Sequence, residues 1–317
     1  MTSSLILLCD HRGAGLDRRA PELAARGFRV AICRSLRRSV AQIEEERPAL
    51  ILLDPLSPGG AVELQALDEA REGTPPVPLL IVAADEGGLD ALAAARHLVG
   101  GAWDVVWRTA DLEELFLRIE RLEHLGHLLA EMGELRHRAS HDDRTDLLRP
   151  AVFQKRLVEH FSAAERHRFS LGLVLIDLDG FGAINKRHDH TVGDVLIAQV
   201  GDAIRRTLRK EDVAGRLGGD EFAVLLPYTQ KIDAARVVGR LRDEIRQLSG
   251  RPAGAKSEIA VSASLGFETF DGTDLDSVHT LRRHAERALR AAKLQGGDQG
   301  IYYRTLAGPD AVDGDKK

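Results

Sequence analysis

Four short runs in the first third of the chain are almost wholly apolar: LILLCD (Leu5–Asp10), ALILLD (Ala49–Asp54), PLLIVAA (Pro78–Ala84) and DVVW (Asp104–Trp107). Strands of that kind must be covered on both faces. Between them, Ala20–Arg26, Arg38–Glu46, Val62–Glu72 and Leu89–Leu98 carry amphipathic helical spacing. Strand–helix alternation predicts a parallel sheet wrapped in helices over residues 1–120. Ligands of such sheets gather at the carboxyl ends of the strands, and two of these runs end in Asp10 and Asp54.

The chain is longer than one such domain: 317 residues suggest two. A net charge of -5 argues against a nucleic-acid or anionic-membrane partner, because no overall positive field exists. The two cysteines, Cys9 and Cys33, have neither metal-ligand spacing nor a disulfide framework, which suits a reducing cytoplasm. The N-terminal SSLILLCD is too short for a signal peptide, and no run approaches a membrane span. A cytoplasmic location is therefore expected.

A long segment without proline follows, from about Asp111 to Ala139. Leu112, Leu115, Ile119, Leu122, Leu125 or Gly126, Leu129 and Met132 fall at three-and-four spacing, about three heptads. The first turns suit packing on the N-terminal domain. Beyond Leu122 little of that domain is left to cover, so a parallel two-helix stalk is predicted, with 121–140 as the linker. His124, His127, His137 and His141 decorate it as solvated surface, since a lone i,i+3 pair lacks the further ligands of a closed zinc site.

From His141 the pattern changes. A helix over Pro150–Arg168 leads to the strand LGLVLIDLD (Leu171–Asp179), then a helix over Val192–Arg209. VAGRLGGDEFAVLLP (Val213–Pro227) reads as strand, Gly-Gly turn, strand: a hairpin. A helix (Lys231–Leu248), a strand (Ala260–Glu268) and a helix (Leu275–Leu294) complete a βαββαβ order. That order predicts a mainly antiparallel sheet with helices on one face, over residues 141–307. The last residues, 308–317, are polar and predicted to be disordered.

Asp177 and Asp179 close the first strand of this second domain, and Asp220 and Glu221 sit at the hairpin turn. If that strand neighbours the hairpin, these acids crowd one sheet edge and repel one another unless cations neutralise them. Hard oxygen ligands with no His or Cys nearby favour Mg²⁺ or Mn²⁺, the usual companions of nucleotide phosphates. Gly218 and Gly219 let backbone approach a bulky ligand. Taken alone, GGDE also fits a plain polar turn.

Further motifs separate those readings. RLGGDEFAVLLP, DLDGFGAINKRHDHTVGD (177–194), HDDRTDLLRPAVF (141–153) and AERALRAAKLQGGD (285–298) together resemble the GGDEF domain of diguanylate cyclases. The resemblance covers about half the chain and implies a palm-like α+β fold. It implies that Asp177 and Asp220 bind metal, with the Leu178 carbonyl and Glu221 close by, and that Asp220 or Glu221 helps deprotonate the attacking 3′-hydroxyl. Phe181, Asn185, Asp194 and Lys293 would bind substrate: Asn185 and Asp194 the guanine edge, Lys293 phosphate. Two GTP would become cyclic di-GMP and two pyrophosphates, each domain of a homodimer holding one GTP. Arg209 and Asp212, an RxxD motif six residues before Gly218, with Arg240, match the family's inhibitory product site.

This sequence also departs from the family. Gly182 stands where Lys is usual, and Gly297 and Asp298 where Arg-Asn is usual; Asp146 and Asp189 replace glycines. A second reading, a catalytically weak or silent GGDEF protein sensing GTP or cyclic di-GMP, stays open beside the enzyme.

The N-terminal domain resembles a response-regulator receiver, which implies a flavodoxin-like doubly wound sheet, Asp54 as phospho-acceptor with Asp10 nearby, and a sensor histidine kinase upstream. Cys9 stands for the usual second acid, Ala83 for the switch hydroxyl and Arg108 for the usual Lys. Both a phosphorylation switch and a degenerate module for dimerisation or partner binding remain open.

Overall fold

Strands β1 (Leu5–Cys9), β2 (Arg29–Cys33), β3 (Leu50–Leu53), β4 (Leu79–Ala83) and β5 (Trp103–Trp107) pair in parallel in the order β2-β1-β3-β4-β5. That is the flavodoxin-like doubly wound order. β3 and β4 are buried along their whole length, as their unbroken apolar sequence requires. Alternate residues feed separate cores: Ile6, Leu8, Leu50, Leu52 and Leu80 on one face, and Leu7, Cys9, Ile51, Leu53 and Leu79 on the other. Helices α1 (Ala20–Ala25), α2 (Leu36–Glu46) and α3 (Gly60–Arg71) lie between the strands in sequence.

The computed structural model describes residues 4–11, 13, 15–54, 60–71, 76–83, 98, 101–250, 252 and 254–306. The helix expected over Leu89–Leu98 and the tail at 308–317 therefore lie outside the described residues, Leu98 excepted. Among the described residues no helix is long and apolar enough to cross a membrane. The chain divides into two compact units, Met1–Arg136 and His137–Lys317.

Helix α4 (Leu112–Ser140) begins by burying Leu115, Phe116, Ile119 and Leu122 in the first unit. It stays docked there longer than the sequence suggested. Leu129 packs against the same core, and a Cβ at Gly126 would lie 2.8 Å from the Pro78 ring. The apolar face left exposed is Leu125, Leu128, Met132 and Leu135, at spacings of three, four and three. Of the expected stripe, the members through Leu122, with Leu129, are thus spent on the domain, while Leu125 and Met132 stay exposed and Leu128 and Leu135 join them.

In the second unit, β6 (Leu171–Leu178), β7 (Val213–Gly218), β8 (Glu221–Pro227), β9 (Ala263–Phe270) and β10 (Gly300–Tyr302) form a sheet in the order β10-β9-β6-β8-β7. All pairs are antiparallel except the edge strand β10, which runs parallel to β9. Helices cover both faces rather than one. Helices α7 (His190–Thr207) and α8 (Lys231–Arg246) pack on Val174, Ile176, Phe222 and Val224. Helices α5 (Pro150–His167) and α9 (Val278–Leu294) cover Leu171, Leu173, Leu175 and Leu225. The reason is visible in β6 and β9: all eight residues of each are buried, so neither face can be left to water.

Among the described residues, four strands and α-helices escaped the sequence reading, the first being strand β2 of the N-terminal sheet. Helix α6 (Phe181–His188) precedes α7, and β10 adds the parallel edge before a short final helix, α10 (Tyr303–Leu306). Asp189, at φ 96°, breaks α6 from α7, and its carboxylate accepts from the His190 N–H at 2.5 Å.

Candidate functional site

The antiparallel register of β6 and β8 sets Asp177 opposite Glu221, and the Leu178 N–H donates to the Asp220 carbonyl at 3.3 Å. Directly opposed residues share a sheet face. Acids more than forty positions apart in sequence thus meet at one strand end. The turn between β7 and β8 uses Gly218 (φ 155°) and Gly219 (φ 49°), and the Arg216 guanidinium donates to the Gly219 carbonyl at 2.7 and 3.1 Å. Arg216 also pairs with Asp142 at 3.1 Å, tying the turn to the loop before α5.

Asp177 is buried, and its Oδ2 lies 2.5 Å from Lys293 Nζ. Desolvation pushes its carboxyl above the usual range; the Lys293 contact opposes this, and the charges of Asp220 and Asp179 add to it. Lys293 reaches the site because α9 lies unusually close to the sheet. A Cβ at Gly266 would fall 2.0 Å from the Leu289 backbone nitrogen, and Lys293 is one helical turn beyond Leu289.

Asp179 is not free to join the cluster. Its carboxylate accepts from Ser262 Oγ (2.8 Å), Ser264 Oγ (2.6 Å) and the Asp298 N–H (2.8 Å). Gly297, at φ 77°, packs on it so closely that a Cβ would sit 2.9 Å away. A residue without a Cβ, at ease with a positive φ, fits best there, which accounts for glycine in place of a basic side chain. Gly182 has open space around it, so nothing in the structure accounts for its lost side chain. Asp146 (φ 57°) takes a positive φ that short polar residues tolerate, whereas Asp189 (φ 96°, ψ 153°) sits in a region ordinarily left to glycine, so its backbone is strained.

Asn185 and Asp194 come together on α6 and α7. A Cβ at Gly193 would lie 1.9 Å from Asn185 Oδ1, so this glycine is what lets the amide lie against α7. Asn185 Oδ1 is buried without a hydrogen-bond partner among the described residues. Asp194 pairs with Arg144 Nη1 at 2.5 Å. Buried Phe181 closes the α6 end of this corner. Elsewhere, Asp212 Oδ2 accepts from the Arg209 N–H at 2.9 Å. Desolvation raises the Asp212 carboxyl, while the Arg209 N–H and the charges of Arg209 and Arg240 counter it.

No three His, Cys, Asp or Glu side chains converge as a closed metal cage among the described residues. The groups carried at this strand end are hard oxygens, the carboxylates of Asp177, Asp220 and Glu221, with a lysine ammonium supplying positive charge. That set fits Mg²⁺, which is held by one or two carboxylates and completed by substrate phosphates.

The sequence profile of the family described as "Diguanylate cyclase, GGDEF domain" matches residues 139–299. The chain belongs to this GGDEF family. It is 32% identical to the diguanylate cyclase TpbB of Pseudomonas aeruginosa over 224 residues, 66% of this chain and 50% of TpbB. It is also 32% identical to the bifunctional diguanylate cyclase/cyclic di-GMP phosphodiesterase MucR of the same species over 178 residues, 56% of this chain and 25% of MucR. The chain thus spans half or less of the length of these two curated relatives. Among solved structures, the coiled coil and GGDEF domain of DgcB from Caulobacter crescentus, in complex with c-di-GMP, superposes with a TM-score of 0.52 at 25% identity, covering 60% of this chain and 96% of that one.

Three residues at this GGDEF site play parts that the sequence reading did not assign them. Gly193 was noted only as part of a motif, Asp179 was grouped with the metal acids, and Arg144 went unremarked. Only the close approaches of Gly193 and Gly297 and the Arg144–Asp194 contact reveal them.

Proposed function

We propose that this chain is a diguanylate cyclase, joining two GTP into cyclic di-GMP with release of two pyrophosphates. The carrying observation is the strand register that sets Asp177 opposite Glu221, with Asp220 next to it at the turn, in the same domain as an Asn185–Asp194 corner whose oxygens can accept. Guanine offers adjacent N1–H and N2–H donors, and an acceptor-only carboxylate with a buried, unpartnered amide oxygen is their complement.

The reaction is in-line attack of a 3′-hydroxyl oxygen on the α-phosphorus of a second GTP. The bond from that phosphorus to the bridging oxygen breaks, and pyrophosphate leaves. Asp220 or Glu221 takes the hydroxyl proton, Lys293 balances phosphate charge, and Asp177, Asp220 and the Leu178 carbonyl hold the cation. Bound Mg²⁺ supplies phosphate polarisation and a lower hydroxyl pKa. Each domain holds one GTP, so two chains must face each other. The exposed Leu125–Leu128–Met132–Leu135 stripe suits a parallel helix pair that would bring them together. Cyclic di-GMP would return to Arg209, Asp212 and Arg240, whose guanidinium groups suit its phosphates and guanine, and inhibit.

The N-terminal unit would regulate as a receiver-like module. Asp54 is buried and ion-paired with Arg108, with Asp10 adding like charge, while Ala83 offers no hydroxyl to read a phosphoryl group. These features support a degenerate receiver more than a phosphorylation switch. A beryllofluoride titration that raised activity or dimerisation would reverse that assignment.

Purified chain incubated with GTP and Mg²⁺ should yield cyclic di-GMP and pyrophosphate in a two-to-one ratio of pyrophosphate to product. A dimeric sample that makes none yet binds cyclic di-GMP would instead be a sensor.

A further inference from the structure

The loop between α4 and α5 is pinned on both sides of Arg144. Asp142 Oδ1 accepts from the Thr145 N–H (3.0 Å) and hydroxyl (2.8 Å) and pairs with Arg216. Asp146 pairs with His137 at 2.6 Å and Arg205 at 2.9 Å. Between these anchors Arg144 reaches across to α7 and sets its Nη1 2.5 Å from Asp194 Oδ1. Both side chains are about half exposed, so this pair adds little to folding stability. Its geometry nonetheless places a guanidinium beside the carboxylate assigned to guanine.

The guanine edge runs O6 acceptor, N1–H donor, N2–H donor. A carboxylate facing the two N–H groups leaves O6 and N3 as the flanking acceptors. N3 lies beside the glycosidic nitrogen and is shielded by the ribose, whereas O6 is open. We propose that Arg144 is a base-reading residue that donates to guanine O6 while Asp194 accepts from N1–H and N2–H. This rests on the reading of Asp194 given above. Arginine donating to guanine O6 is a strong specific contact in nucleic-acid recognition, and adenine, with an amino donor at C6, would meet the guanidinium donor to donor. Arg144 therefore adds affinity for GTP and discrimination against ATP.

The test is calorimetric titration of the full chain, with Mg²⁺, using the α,β-methylene analogues of GTP and ATP, which cannot release pyrophosphate. R144L should weaken the GTP analogue about tenfold and change the ATP analogue less than twofold. R144K, which keeps a donor, should recover part of the loss and carries the test if R144L fails to fold. Unchanged binding of the GTP analogue by R144L, or tighter binding, as expected if Arg144 merely plugs the site, overturns the inference. D194A separates the two levels. If it too binds normally, the guanine assignment of Asp194 is wrong; if it loses binding while R144L does not, only the role of Arg144 falls.

Discussion

Asp54 and Asp177 occupy matching situations in the two sheets. Each is a buried carboxylate at the end of an apolar strand, each is raised first by desolvation, and each is paired with one cation from a later element. They differ in what surrounds the pair. Around Asp177 stand Asp220 and Glu221 at an open turn, and the cation is a half-exposed lysine. Around Asp54, Arg108 closes the pair, and Asp54 Oδ1 and Arg108 Nε are buried without hydrogen-bond partners among the described residues. A buried strand-end acid is therefore not a site by itself. What sets Asp177 apart is a turn that brings two further acids, Asp220 and Glu221, to the strand end, where Asp54 has Asp10.

The strongest challenge to this contrast is to remove acids from each side. D220A/E221A should cut cyclic di-GMP formation by at least ~10³-fold, since it removes both a cation ligand and the group that takes the hydroxyl proton. D54N should leave basal turnover within about twofold. A pyrophosphate-release assay on both variants checks this, and comparable losses would dissolve the distinction.

The closed character of the Asp54 pair makes a stability prediction. R108M leaves a buried carboxylate without its cation and should cost roughly 3 kcal/mol in urea unfolding of the N-terminal unit. R108M/D54N, which removes both charges, should recover most of that loss. A single R108M variant as stable as the parent would mean the Asp54 pair is as exchangeable as that of Asp177.

Much of this contrast was legible in sequence. Unbroken apolar runs forced a covered sheet, and the GGDEF and DLDGF motifs located Asp177 and Asp220 before any coordinates. Packing geometry was not legible, because it depends on distances between segments. The two-sided burial of β6 and β9, the docking of Gly126 on Pro78 and the capture of Asp179 by Ser262 and Ser264 have no local signature. The positive φ that Asp146 and Asp189 adopt likewise has no local signature.

Gly193 tests the guanine corner more gently. G193A puts a methyl group where Asn185 Oδ1 lies, so the amide must move. The expected result is a KM for GTP raised about tenfold with kcat little changed, seen in initial rates across GTP concentration. A fall in kcat alone would move Asn185 from binding into the chemical step.

The smallest effect concerns Lys293, and its sign follows from linkage. The Asp177 carboxyl is raised in the folded protein, so its contribution to stability is full below the unfolded pKa and is lost as pH rises through the folded value. Lys293 limits that rise by favouring the ionised form. K293M should therefore push the Asp177 carboxyl higher still, and the acid limb of kcat/KM, where a protonated Asp177 no longer holds the cation, should move toward higher pH. In stability the variant should fall short of the parent near neutral pH and converge with it as both carboxyls protonate. An acid limb that stays in place in K293M would assign it to another group and leave Asp177 titrating no differently from an exposed acid.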